Sequence, residues 1–206
     1  MSLNENEKTI LWSGCRSLVY LLLAMLFIGF IHHLASIYKA QTFAENGIVE
    51  NIQLGLLLCA GTIFLTEGIC AKSWRPLMFF LASLCFLASC RELDKTLDEL
   101  IYGLRWRIGF VFPLIAAEYA IKHKETACKN LVSFIGTSPF YMMFCALIVI
   151  FPIGQCIGHR PLVINVIGES QMTQIKELFE ECSEVMGYFL ILLASIESYI
   201  SLIRKK

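Results

Sequence analysis

Three glutamates interrupt apolar runs of this chain: Glu67, Glu118 and Glu197. An ionisable side chain inside a membrane span is costly, so it faces a bundle interior or a water-filled cavity and marks a site of function. Glu67 stands five residues before Lys72, Glu118 four before Lys122 and Glu197 seven before Arg204. All three therefore lie at a similar depth near one interface. If their helices face one another, they form a buried acidic cluster able to act as a proton- or ion-responsive switch. The competing reading is that Glu118 and Lys122 are an ordinary i,i+4 pair, and that a carboxylate near an interface snorkels toward water.

A second set of carboxylates gathers between the apolar runs. Glu92, Asp94, Lys95, Asp98 and Glu99 occupy one side of a helical pattern whose other side is Leu93, Leu97, Leu100, Ile101 and Leu104, and Arg91 precedes Asp94 by three residues. Glu177, Glu180, Glu181 and Glu184 likewise crowd one face opposite Met172, Ile175, Leu178, Phe179 and Cys182. Four carboxylates on one arc repel one another unless a cation, a basic group or water screens them. Together with Glu50, which opens another apolar run, the residues Arg91, Glu92, Asp94, Asp98, Glu181 and Glu184 make an outer polar cluster. Such a cluster holds a divalent cation through oxygen ligands, accepts a basic partner, or is a solvated face with weak local ion pairs. Cys156 and His159 bring no third ligand at zinc spacing, so neither metal nor cofactor is assigned.

The elements that position these residues follow from composition. The chain has 206 residues, 57% of them hydrophobic and 17% charged, and a mean hydropathy of +0.66. Soluble domains are less apolar and more charged than this. Apolar runs cover approximately Ser17–Tyr38, Ile52–Ala71, Trp74–Cys90, Ile108–Ile121, Val132–Ile153 and Val185–Ile203. In a bilayer each backbone amide must be satisfied within its own segment, so the runs read as helices. The expected fold is all-α: a polytopic transmembrane bundle of six spans, or four full spans with a partial hairpin over 74–121. It forms one integral-membrane domain over 1–206, with amphipathic segments at about 91–104 and 170–184 facing outward. The nine cysteines are odd in number and form no C-x-x-C pair, which argues against a disulfide framework.

Orientation follows from the basic residues, which stay on the cytoplasmic side. One set of loops and termini carries Lys8, Arg16, Lys72, Arg75, Lys122, Lys124, Lys129, Arg204, Lys205 and Lys206 against Glu5, Glu7 and Glu125 alone. Carboxylates outnumber basic residues in the opposite set. Both termini are thus expected in the cytoplasm. Lys122, Lys124, Lys129, Arg204, Lys205 and Lys206 there offer a surface to an acidic partner or to anionic lipid. Basic and acidic residues balance at 17 each, which argues against direct nucleic-acid binding.

Glu45-Asn46-Gly47 with Glu50-Asn51, Arg91-Glu92-Leu93-Asp94, and Glu181 with Glu184 together resemble an uncharacterised bacterial family of multi-pass inner-membrane proteins. In size, repeated spans and small soluble loops the chain is also similar to the membrane subunit of the Kiwa anti-phage defence system. That resemblance implies a sensor in the bacterial inner membrane working with a soluble cytoplasmic effector. The nucleophile elbow, phosphate loop, Rossmann fingerprint and metalloprotease motif are missing from the sequence. The expectation is therefore a non-enzymatic, homo-oligomeric sensor or scaffold in contact with the lipid bilayer. The alternatives are a metal-dependent membrane enzyme acting on lipid and a proton- or cation-responsive transport protein.

Overall fold

The computed structural model describes residues 4–38, 42–43, 47–100, 105–154 and 172–204. Every regular element among them is helical. The chain divides into two compact units, Met1–Thr42 and Phe43–Lys206.

The first unit is essentially one helix, α1 (Glu5–Tyr38). Its start is fixed by a reciprocal cap: the Glu7 amide donates to Asn4 Oδ1 and the Asn4 amide to Glu7 Oε2, both at 2.8 Å. From Leu11 to Tyr38 it is apolar enough to cross a membrane. Leu18, Leu22 and Leu26 are exposed along it, as expected of side chains that meet lipid.

The second unit is a bundle of antiparallel helices. α2 (Ile48–Cys70) and α3 (Arg75–Glu92) are joined by a short 3-10 turn over Lys72–Trp74. Pro76 sits in the first turn of α3, where its missing amide is harmless. Arg75 closes the corner by donating from Nε to the Gly68 carbonyl at 3.0 Å and from Nη2 to that of Ile69 at 3.4 Å, which satisfies the end of α2. Small residues let the two helices approach closely, as in membrane bundles generally. A Cβ on Gly61 would lie 3.0 Å from the Phe86 ring, and one on Gly68 only 2.5 Å from the Phe79 ring.

After α3 the chain turns at Leu93 into a short helix α4 (Asp94–Leu100). The amphipathic stretch expected over 91–104 is thus divided, with Arg91 and Glu92 closing α3 and residues 101–104 outside the described part. A 3-10 segment, Arg105–Phe110, leads into α5 (Val111–Lys122). This pair runs back along α3: Gly109 meets Leu87 and Cys90, Phe112 packs on Phe86, and Tyr119 on Phe79.

α6 (Lys124–Ile135) and α7 (Ser138–Ile148) follow, α7 running on into a π-helical turn, Val149–Ile153, that contains Pro152. The axis bends by 81° between α6 and α7. Gly136, the Thr137 hydroxyl bonded at 2.6 Å to the Phe134 carbonyl, and Pro139 in the next first turn together end one helix and begin another. The last helix, α8 (Met172–Arg204), is continuous over 33 residues. The described part of the amphipathic stretch expected around 170–184 is therefore the N-terminal part of the same helix that carries the final candidate span, Leu178–Leu202.

Among the described residues four helices are long and apolar enough to cross a membrane, and a fifth if the bent α6–α7 pair counts as one. Two expected spans differ from their reading. Ile108–Ile121 is a 3-10 segment plus a 12-residue helix, because Pro113 and Gly109 shorten the regular part. Val132–Ile153 is broken at Gly136, and its first residues belong to α6. Apolar content marked both segments, but glycine and proline decided their geometry.

Close packing at one glycine gives a direct test. A Cβ on Gly187 in α8 would overlap the Ile150 side chain and lie 3.2 Å from the Ala146 carbonyl, whereas one on Gly55 meets nothing within 4 Å. Gly187→Ala should destabilise the detergent-solubilised protein by about 1–3 kcal/mol. Gly55→Ala should leave its thermal unfolding unchanged, and equal behaviour of the two would contradict the α7–α8 contact.

Candidate functional site

The residues that sequence spacing singled out fall at the two ends of the bundle, with α8 present at both. At the acidic end, Arg91 on the last turn of α3 is the hub. Its Nη2 reaches Glu184 Oε1 at 2.5 Å, Glu92 Oε1 at 3.1 Å and the Tyr188 hydroxyl oxygen at 3.0 Å. The Tyr188 hydroxyl in turn donates to Glu92 Oε1 at 2.9 Å. The Glu92 and Glu184 side chains are 7% and 13% exposed, and that of Arg91 is 40% exposed. One guanidinium thus holds two mostly buried carboxylates from two helices, and a buried tyrosine on α8 bonds both that guanidinium and Glu92.

Gln53 extends this network to α2. It is wholly buried, and its Nε2 donates to Glu181 Oε2 at 2.9 Å and to the Glu181 backbone carbonyl at 3.3 Å. Glu181 lies within electrostatic reach of Glu50, Glu92 and Glu184. The α8 carboxylates therefore do not form one repelling row. Glu180 pairs with Lys176 at 3.6 Å, Glu181 turns to Gln53 and Glu184 to Arg91; the Glu177 side chain is outside the described part.

Asp94 serves α4 rather than a cation site, accepting from the Trp106 amide at 3.0 Å. It thereby ties α4 to the 3-10 segment that follows. Asp98 and Glu50 are partly buried on α4 and α2. Among the described residues no three of His, Cys, Asp and Glu are grouped so as to hold a metal ion. A shared oxygen site of Glu50, Asp94 and Glu184 is accordingly not formed. Cys156 and His159 lie outside the described residues.

The opposite, basic end separates the three span glutamates. Glu67 is 1% exposed and accepts a hydrogen bond on Oε2 from the Ser198 hydroxyl at 2.7 Å. Its Oε1 is buried with no hydrogen-bond partner among the described residues, as is Gln53 Oε1. Glu197, next to Ser198, is also buried, at 3% exposure. Glu118 stands apart from both. Its side chain is 67% exposed and pairs with Lys122 at 2.7 Å, so of the three span glutamates Glu67 and Glu197 are buried and Glu118 lies outside any buried cluster. The reason is rotational: α5 packs Ala116 against the bundle and turns Glu118 away.

Lys72, Lys122, Lys124 and Lys129 are exposed at this end. Asn130 on α6 donates to the Ser73 carbonyl at 2.7 Å, which fastens α6 to the turn between α2 and α3. The Arg204 side chain and Lys205 and Lys206 are outside the described part. Gln53, Tyr188 and Ser198 were not among the expected site residues. Gln53 carried a faint signal, being an amide at the start of an apolar run; tyrosine and serine in apolar runs carry much less.

No protein-family model, curated protein or solved structure matches the chain.

The network makes an energetic demand. Arg91→Gln strands Glu92 and Glu184 without their cation and should destabilise the protein by about 3 kcal/mol. Tyr188→Phe, which leaves the ion pairs in place, should cost about 1 kcal/mol. In an Arg91→Gln background, Glu184→Gln should recover part of the loss when unfolding is followed in detergent. Strict additivity of the two changes would mean that the pair does not interact.

Proposed function

We propose that this chain is a non-enzymatic sensor or scaffold of the bacterial inner membrane, coupling a signal at the acidic face to a soluble partner at the basic face. The observation that carries the reading is that α8 makes buried polar bonds at both ends. Glu181 and Ser198 are separated by about 25 Å at helical rise, close to the thickness of a bilayer's hydrocarbon core. Between apolar surfaces a helix slides or rotates at little cost, but buried polar bonds have discrete partners. A shift of α8 that breaks Glu184–Arg91 or Tyr188–Glu92 on one side is transmitted to Ser198–Glu67 on the other. Glu67 is suited to the receiving role, since a buried carboxylate with a single donor is sensitive to any change in its surroundings.

In this reading the chain crosses six times and both termini face the cytoplasm. The 3-10 segment and α5 together span about 30 Å and run along α3 as a composite crossing. α6 lies along the cytoplasmic interface, held to the α2–α3 turn, and α7 crosses beside α8. Positive loops then all face inward. In this reading the protein assembles as a homo-oligomer. Envelope disturbance, including phage infection, is the class of stimulus that the acidic face would meet.

Two measurements test this. A variant retaining Cys128, an exposed residue on α6, as its single cysteine should react with an impermeant maleimide only after the cytoplasmic side is opened. Labelling in intact cells would reverse the orientation. The full-length protein purified from native membranes in mild detergent should retain a soluble partner, and Tyr188→Phe should change that partner's recovery from the far side of the bilayer. Unchanged recovery in both Tyr188→Phe and Glu67→Gln would remove the coupling role of α8.

A further inference from the structure

A groove between α2, α3 and α5 has no part in the polar contacts described above. It is a cavity of about 310 Å³ lined by Leu65, Phe79, Phe86, Phe112, Ile115 and Tyr119 among others. That volume falls at the lower end of the range for small-molecule sites. Its mouth opens along the side of the bundle, with Ile115 62% and Phe112 44% exposed. In a bilayer such a recess cannot stay empty beside lipid tails, and an apolar rod is the shape that fits it.

The end of the groove is not apolar. The Arg75 guanidinium lies over the Phe79 ring, 5.8 Å from its centroid, within cation–π range. Phe79 meets Tyr119 at 5.9 Å between centroids, and Tyr119 meets the His123 ring at 4.6 Å. Arg75 and His123 thus flank the two aromatic rings that close the groove, one from α3 and one from the end of α5. Gly68 leaves room for this arrangement, because a Cβ there would lie only 2.5 Å from the Phe79 ring. Arg75 is also anchored through the Gly68 and Ile69 carbonyls, so its planar group is presented in a fixed place. Those bonds use Nε and Nη2 and leave Nη1 to donate to a phosphate.

We propose that this groove binds one acyl chain of an anionic phospholipid, with Arg75 and His123 at its rim taking the headgroup phosphate. The lipid comes from the leaflet that faces the basic end. Lys72, exposed at the same end, adds to the positive field that selects a net negative headgroup, whereas Lys122 is offset by Glu118. The assignment does not depend on the signalling role of α8, since none of the groove residues named here belongs to that helix.

The experiment is native mass spectrometry of the full-length, detergent-solubilised protein given equal palmitoyl-oleoyl phosphatidylglycerol and phosphatidylcholine. Retained phosphatidylglycerol should exceed phosphatidylcholine by about five-fold, the ratio that one basic group provides. Ile115→Trp, which fills the groove from an exposed position, should abolish retention. Ile196→Trp, placed in the separate cavity lined by Thr62, Thr66 and Tyr199, should not. Arg75→Gln should remove the preference between the two lipids. Equal retention of both lipids by the wild type would overturn the proposal, as would a preference that survives Ile115→Trp. Equal loss in both tryptophan variants would assign the lipid to the general annular belt. A change of oligomeric mass in Ile115→Trp would instead make the groove a contact between copies, and the proposal would fail.

Discussion

Buried polar bonds on α8 are the constraint on which the second unit depends. In a bilayer, apolar side chains gain little by meeting one another rather than lipid, so helix association rests on close packing and hydrogen bonding. Glu184 and Tyr188 bind the end of α3, Glu181 takes Gln53 of α2, and Ser198 takes Glu67 of α2. These bonds fix the rotation and the depth of α8 against two neighbours at once. Apolar packing alone would allow the helix to slide by a turn and find other contacts of similar quality. Here such a slide takes Glu67 away from Ser198 and Glu184 away from Arg91, leaving buried carboxylates in an apolar setting.

Close approach is what makes those bonds reachable. Gly61 and Gly68 let α3 lie against α2, and Gly187 admits Ile150 to the surface of α8. Ser83, Ser89 and Ser195 are buried as small residues whose hydroxyls return to carbonyls on their own helices. The contacts that bear on function are thus the ones that cross between helices. Gln53–Glu181, Arg91–Glu184 and Ser198–Glu67 join residues that are far apart in sequence. The bend at Gly136 has a comparable effect on the basic end, where it turns α6 aside and leaves Lys124 and Lys129 on an exposed face.

The helical class and the membrane character were legible because apolar density sustained over about 20 residues is rare outside a bilayer. Span integrity was less so. Pro113 was visible as an interruption, but whether a crossing continues through it depends on α3, which the local sequence does not describe. The acidic residues divide along the same line. Glu118 with Lys122 is an i,i+4 pair, written in a single helix and readable as such. That Glu67 meets Ser198, or that Arg91 meets Glu184 rather than Asp94, depends on helix rotation and on contacts more than 90 residues apart. Charge of the loops could be counted, whereas the partner of each charge could not.

The distribution of polar groups also bears on which of the candidate activities the chain suits. A conducting path needs polar lining through the whole thickness of the membrane. Here the interhelical polar bonds collect at two levels, and the level between them is filled by Leu57, Ala60 and Phe64 of α2 with Leu193 and Ala194 of α8, all buried. Hydrolysis of a lipid needs a nucleophile or an activated water beside a group that stabilises charge in the transition state. Arg91 would be the natural candidate for that second task, yet its guanidinium is already engaged by Glu92, Glu184 and Tyr188. An arginine bound in this way ties the end of α3 to α8. Two polar layers joined by one helix through an apolar middle layer are the arrangement on which the proposed sensor reading rests.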